Sequence, residues 1–166
     1  MNIEDLRMHE MNISKESIEY MLNTIKNNKL KKVLEIGCFN GYSALKFSTA
    51  AKQVKTIEID KRAVKIAEEN FKKYNVKNIE ILEGDANEVL KNIKEKFDLI
   101  LIDAVKIEYI NYLRLSLKSM DKGFIYVDNT ISHKEYMKDF FEYLKNSKLD
   151  WKELHIGKGL VEIILN

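Results

Sequence analysis

Two short segments carry side chains suited to chemistry on a bound oxygen. LILIDAVKIEY holds Asp103, Lys106 and Tyr109, and FIYVDNT holds Asp128 beside Asn129. Two carboxylates and an amide oxygen, with positions left for water or substrate, suit a hard divalent ion such as Mg²⁺. Unpaired carboxylates gathered in one crevice repel each other, and a cation relieves that. Three other segments suit a small ligand. VLEIGCFNGYS places Glu35, Gly37 and Gly41 where an apolar run gives way to a helix-compatible one, an arrangement that brings backbone N–H groups up to a ligand. Its E-x-G-x-x-x-G spacing departs from the dinucleotide fingerprint G-x-G-x-x-G and disfavours an NAD-binding oxidoreductase. About 20 residues further on, TIEID supplies an acid where ribose hydroxyls are commonly bound. Glu58 and Asp60 compete for that role, and Asp60 is better placed as a helix cap. Gly84-Asp85-Ala86 follows the next apolar run.

These residues meet only if the elements that carry them share one edge. Short β-rich runs at Lys32–Ile36, Val54–Ile59, Ile79–Leu82, Leu99–Ile102 and Phe124–Val127 each precede a stretch with helical spacing. That alternation predicts a parallel sheet with helices on both faces. Every candidate above then falls at the carboxyl end of a strand, where open α/β sheets bind ligands. Ser14 is an N-cap for a helix over about Lys15–Asn28, and Asp60 for Lys61–Tyr74, with Ala63, Ile66, Ala67 and Phe71 as the buried face. Asp85 with Glu88, and Ser132 with Glu135, have capping-box spacing. Trp151–Ile156 and Leu160–Leu165, joined at Gly157-Lys158-Gly159, predict a terminal antiparallel hairpin.

The E-x-G-x-x-x-G segment resembles motif I of the S-adenosylmethionine (SAM) dependent methyltransferases. Asp103-Ala-Val-Lys106 with Tyr109 resembles the "DADKxxY" motif of the cation-dependent O-methyltransferases, the group of catechol and caffeoyl-CoA O-methyltransferases, and Asp128-Asn129 resembles their "DN" motif. The resemblance runs from about Ile13 to Ile164. It implies a Rossmann-like three-layer αβα sandwich with a mostly parallel seven-stranded sheet in the order 3-2-1-4-5-7-6. It implies SAM as cofactor. Gly37 and Gly41 then shape the turn, Phe39 covers the cofactor, and Ser43 and the helix start face its carboxylate. Glu35 meets its amino group, Glu58 its ribose, and Asp85 and Ala86 border its adenine. Carried over, Asp103, Asp128 and Asn129 are metal ligands, with Asp103 also near the cofactor. Lys106 is then general base or orienting cation. A phenol with a pKa of about 10 is a poor nucleophile at neutral pH; metal binding lowers that pKa and a nearby amine takes the proton.

The chain also departs from that pattern. An N-terminal helical region of about 30 residues, 1–30, precedes the first strand, shorter than the family's. Only Thr130 and Ile131 separate Asn129 from the next helix cap, and Val105 stands where an acid is usual. Both substrate walls are reduced, so neither the acceptor nor a homodimer follows from the resemblance. A small-molecule hydroxyl acceptor, a modified nucleotide in tRNA, and a SAM- or nucleotide-binding module without catalysis all stay open. His133 could face the cleft but reads first as a first-turn helix residue, Tyr109 and Tyr112 read as helix packing, and Met8 and Met11 as lid candidates. The 166 residues fit one domain. A net charge of +2 is too small to argue for nucleic acid, and no apolar run is long enough for a membrane span. The single cysteine, Cys38, excludes an internal disulfide and fits a reducing cytoplasm, and the run MNIEDLRMHE is too acidic and polar for a signal peptide.

Overall fold

Strands and helices alternate along the chain as their apolar periods require. A computed structural model describes residues 2–8 and 11–166, so of the run MNIEDLRMHE, Met1, His9 and Glu10 lie outside the described residues. The strands are β1 (Lys32–Ile36), β2 (Gln53–Glu58), β3 (Ile79–Glu83), β4 (Leu99–Ile102), β5 (Gly123–Asp128), β6 (Asp150–Leu154) and β7 (Leu160–Leu165). The helices are α1 (Lys15–Asn27), α2 (Tyr42–Ser48), α3 (Lys61–Lys73), α4 (Ala86–Asn92), α5 (Tyr109–Lys118) and α6 (Lys138–Asn146). All seven strands form one sheet in the order β3-β2-β1-β4-β5-β7-β6, as expected. The first five are parallel, and β7 runs antiparallel to both β5 and β6. The order reverses between β1 and β4, which opens a crevice at their carboxyl ends.

Strand alternation divides the apolar core between two faces. Val33, Val54, Leu99, Leu101 and Tyr126 pack with Ile18 and Met21 of α1, Leu45 and Phe47 of α2, and Ala67 and Phe71 of α3. Leu34, Ile36, Ile100, Ile102, Ile125 and Val127 pack on the other side with Leu90 of α4, Leu113 of α5, and Phe140 and Leu144 of α6. No helix among the described residues is long and apolar enough to cross a membrane.

Local signals explain the starts of α1, α3 and α4. Ser14 accepts from the Ser17 N–H at 3.0 Å, Asp60 from Arg62 at 2.8 Å and Asp85 from Asn87 at 2.8 Å. Three expectations change. Asp85 caps α4, but Glu88 accepts from Lys91 at 2.7 Å and does not complete a capping box. Ile66 is 47% exposed, and Val64 takes its place on the buried face of α3. That face is centred between Ala67 and Phe71, which leaves Ile66 on the flank. The Ser132–Glu135 capping box does not form. Thr130, Ile131 and Ser132 give their N–H groups to the carbonyls of Gly159 and Lys158 in the hairpin turn. The segment stays irregular until a 3-10 turn at Lys134–Met137, and α6 starts only at Lys138.

Candidate active site

The carboxyl ends of β1, β2, β4 and β5 surround a cleft of about 520 Å³. Of the residues singled out by their spacing, Gly37, Phe39, Ser43, Glu58, Asp85, Ala86, Asp103, Lys106, Asp128 and Asn129 line it. Glu35 does not. It is fully buried beneath the turn, where one carboxylate oxygen accepts from the Thr56 hydroxyl at 2.6 Å and the other, Oε1, has no partner. Burial is the main cause that pushes the Glu35 carboxyl up to about 8; the nearby hydroxyls of Ser43 and Thr56 pull it back, while the charges of Asp103 and Glu58 add to the rise.

The turn after β1 is held by contacts within the protein. At Gly37 the backbone takes φ +101°, and a Cβ there would strike the Asp103 carbonyl at the end of β4. A Cβ on Gly41, at φ +80°, would lie 2.5 Å from the Phe71 ring. Both glycines are thus demanded by packing as well as by any ligand. Glu58 ties the same turn down. One of its oxygens accepts from Cys38 at 3.1 Å and Phe39 at 2.9 Å, and the other from Ile59 and Asp60, each at 2.9 Å. Phe39 itself adopts φ 49°, a left-handed backbone that these bonds hold in place. Cys38 is buried in the turn, and burial pushes its thiol well up, so it is no nucleophile.

Across the cleft, Lys106 donates to Asp103 at 3.0 Å and to the Ala104 carbonyl at 3.0 Å. Asp128 is fully buried at the end of β5. Its Oδ2 accepts from the Asn129 amide at 2.9 Å, while Oδ1 is buried with no partner. Burial first, and the Asp103 charge second, hold the Asp128 carboxyl well above the usual carboxylate range. Asn129 adopts φ 65°, which turns the chain out of β5 toward the cleft wall. No group of three His, Cys, Asp or Glu side chains comes together among the described residues. The hard donors present are two carboxylates and one amide. An orphaned buried carboxylate oxygen beside a second carboxylate fits a cation there.

Several lining residues carry no sequence signal. Asn12 and Ile13 reach the cleft from the N-terminal segment, Tyr112 and Glu108 from the start of α5, and Lys158 from the hairpin turn. His133 also lines it, just before the 3-10 turn. Met11 lines the mouth and is 60% exposed. Tyr109 lies behind the wall, fully buried.

Comparison with known proteins agrees with this geometry. The family model for O-methyltransferases matches residues 2–149. The O-methyltransferase ankF of Aspergillus thermomutatus is 38% identical over 114 residues, covering 63% of this chain and 48% of that protein. The flavonoid 3',5'-methyltransferase of Vitis vinifera is 32% identical over 148 residues, covering 78% of this chain and 63% of that enzyme. The chain thus spans about half to two thirds of the length of these curated relatives. The crystal structure of the SAH-bound Podospora anserina methyltransferase PaMTH1 superposes with a TM-score of 0.87 at 25% identity, over 95% of this chain and 81% of that one. With its family match over most of the chain and the strand order of that fold, this chain belongs to the O-methyltransferase family.

Proposed function

We propose that the protein is a SAM-dependent methyltransferase that methylates a hydroxyl group on a small molecule with the help of a divalent cation. The observation that carries this reading is the meeting of Asp103, Lys106, Asp128 and Asn129 in the same cleft as the glycine turn and Glu58. When bound, SAM supplies an activated methyl group and the cation lowers the pKa of the acceptor hydroxyl.

The remaining work falls to side chains. The turn from Gly37 to Gly41, with Ser43, holds the amino-acid end of the cofactor. Glu35 supports that turn from beneath through Thr56 and Ser43. Glu58 presents its carboxylate to the ribose while it fixes the turn. Asp85 and Ala86 border the base, with Phe39 covering the cofactor. Asp103, Asp128 and Asn129 would hold the cation. Lys106 Nζ, which reaches Asp103 at 3.0 Å, would orient the acceptor oxygen or, as a neutral amine, take its proton. Alignment and charge control are the protein's main contributions.

The mouth favours an apolar acceptor over a polyanion. Met11, Ile59 and Val105 line the cleft although each is more than half exposed, and Ile107 and Tyr136 line an adjoining depression that shares Lys106. Nucleic-acid grooves instead combine basic and stacking side chains. To test the reading, the protein is incubated with methyl-labelled SAM and a catechol panel, with Mg²⁺ or EDTA, and again as Lys106→Ala and Asp128→Ala. Expected is Mg²⁺-dependent transfer that falls by about 100-fold or more in both variants. Transfer indifferent to EDTA and to both substitutions would sink the metal-and-base mechanism. Label appearing in tRNA would move the acceptor to a macromolecule, and tight SAM binding without any transfer would make this a binding module.

A further inference from the structure

Tyr109 opens α5 beside Lys106, the partner of Asp103, and its hydroxyl is buried with no hydrogen-bond partner. So is Asp128 Oδ1. The two do not bond each other directly, but a phenol hydroxyl can donate and a carboxylate oxygen accept, so one bridging water would satisfy both. The ring is fixed in place: Tyr112 and Phe140 each pack with centroids 6.4 Å away, and the Lys106 ammonium, which pairs with Asp103, lies 5.2 Å from the ring centre. Burial is the main cause that holds this phenol well above its ordinary pKa; the charges of Asp103 and Asp128 come next, and the Ala104 backbone acts the other way. A tyrosine wanted for packing alone would serve as well without its hydroxyl, because an unpaired buried hydroxyl weakens the fold.

We infer that Tyr109 is a positioning residue for the Asp103–Asp128 carboxylate pair, its hydroxyl donating to that pair across one water and setting the carboxylates for a divalent cation. Ligating carboxylates are themselves hydrogen-bonded in working metal sites, and removing such a partner weakens metal binding roughly 10- to 100-fold. The inference rests on the metal reading of the proposed function and adds to it a residue outside the cleft lining.

The test is Mn²⁺ binding to the wild-type protein, Tyr109→Phe, Asp128→Asn and the double variant, followed by the loss of the free-ion resonance signal. Melting temperature in EDTA and SAM affinity are measured in parallel. Expected for Tyr109→Phe is Mn²⁺ binding weaker by about 10-fold, SAM affinity unchanged, and a metal-free melting temperature equal to or above wild type. In the Asp128→Asn background the same change should have no further effect on Mn²⁺. Wild-type Mn²⁺ affinity in Tyr109→Phe overturns the inference and leaves the metal reading standing. A parallel loss of Mn²⁺ binding, SAM binding and melting temperature overturns it in favour of simple packing. A wild-type protein that binds no Mn²⁺ overturns the metal reading and this inference together.

Discussion

Glu35 shows how one residue couples the turn to the solution. Its carboxyl is fully buried, satisfied on one side by Thr56 and orphaned on the other, and its pKa is raised to about 8, chiefly by burial. In the unfolded chain the same group titrates near 4.5. Between those values the folded protein keeps a proton that the unfolded chain releases. Stability contributed by this group is therefore full below the unfolded pKa and declines as pH rises toward the folded one, by at most about 1.4 kcal/mol per pH unit. Glu35→Gln keeps the shape and the acceptor for Thr56 and removes the titration. Thermal melts from pH 5 to 8 should show wild type losing stability relative to the variant as pH rises. A difference between the two that is flat across that range would mean that Glu35 is not held protonated.

At the scale of the element, the strand–turn–helix unit works because a neighbouring strand completes it. Glu58 ends β2, yet its four accepted hydrogen bonds come from backbone N–H groups on both the turn after β1 and the start of the next loop. Glu58→Gln replaces one acceptor oxygen with a donor that faces two N–H groups. Hydrogen bonds to charged groups contribute about 1.5–3 kcal/mol each, so SAM affinity should fall by at least about 10-fold. Calorimetry gives the affinity, and hydrogen exchange at Cys38 and Phe39 reports the loosened turn. Unchanged exchange there would show that the turn stands without Glu58. Much of this unit was legible in the chain: the strand runs, the glycine spacing, the caps at Ser14, Asp60 and Asp85, and the hairpin follow from local periodicity and turn chemistry. What was not legible depends on partners distant in sequence. Glu58 read as a ribose acid, while its bonds to the turn exist only once β1 and β2 lie side by side. The Ser132 box failed because the Lys158 carbonyl in the hairpin turn takes the Ser132 N–H that Glu135 would have to accept. Glu35 read as a cleft residue, although strand alternation turns its side chain into the layer beneath.

At the scale of the whole molecule, the N-terminal segment is fastened across the cofactor side by bonds that converge on the turn itself. Asn40, between Phe39 and Gly41, donates to the Leu6 carbonyl at 2.8 Å and accepts from Asn12 at 2.9 Å and from the Tyr42 N–H at 3.2 Å. The Asn40 carbonyl also accepts from Asn70 of α3 at 2.8 Å. Further along the strap, Lys46 donates to Glu4 at 2.7 Å, and that bond is the main cause holding the Glu4 carboxyl below its ordinary range. Tyr74 donates to the Asn2 carbonyl at 2.8 Å. One buried amide therefore links the strap, which brings Met11, Asn12 and Ile13 to the cleft, with the glycine turn and the start of α2. Asn40→Ala leaves the Asn12 amide, the Leu6 carbonyl and the Tyr42 N–H without this partner, and should destabilise the protein by roughly 2–3 kcal/mol. The loss should be uneven, because the sheet keeps its own ladders while the strap loses its anchor. Limited proteolysis should cut the variant within residues 2–8 much faster than wild type, and saturating SAM should slow the cut in wild type more than in the variant. If the two proteins are cut at the same rate, Glu4 and Tyr74 suffice to hold the strap, and Asn40 serves the turn alone.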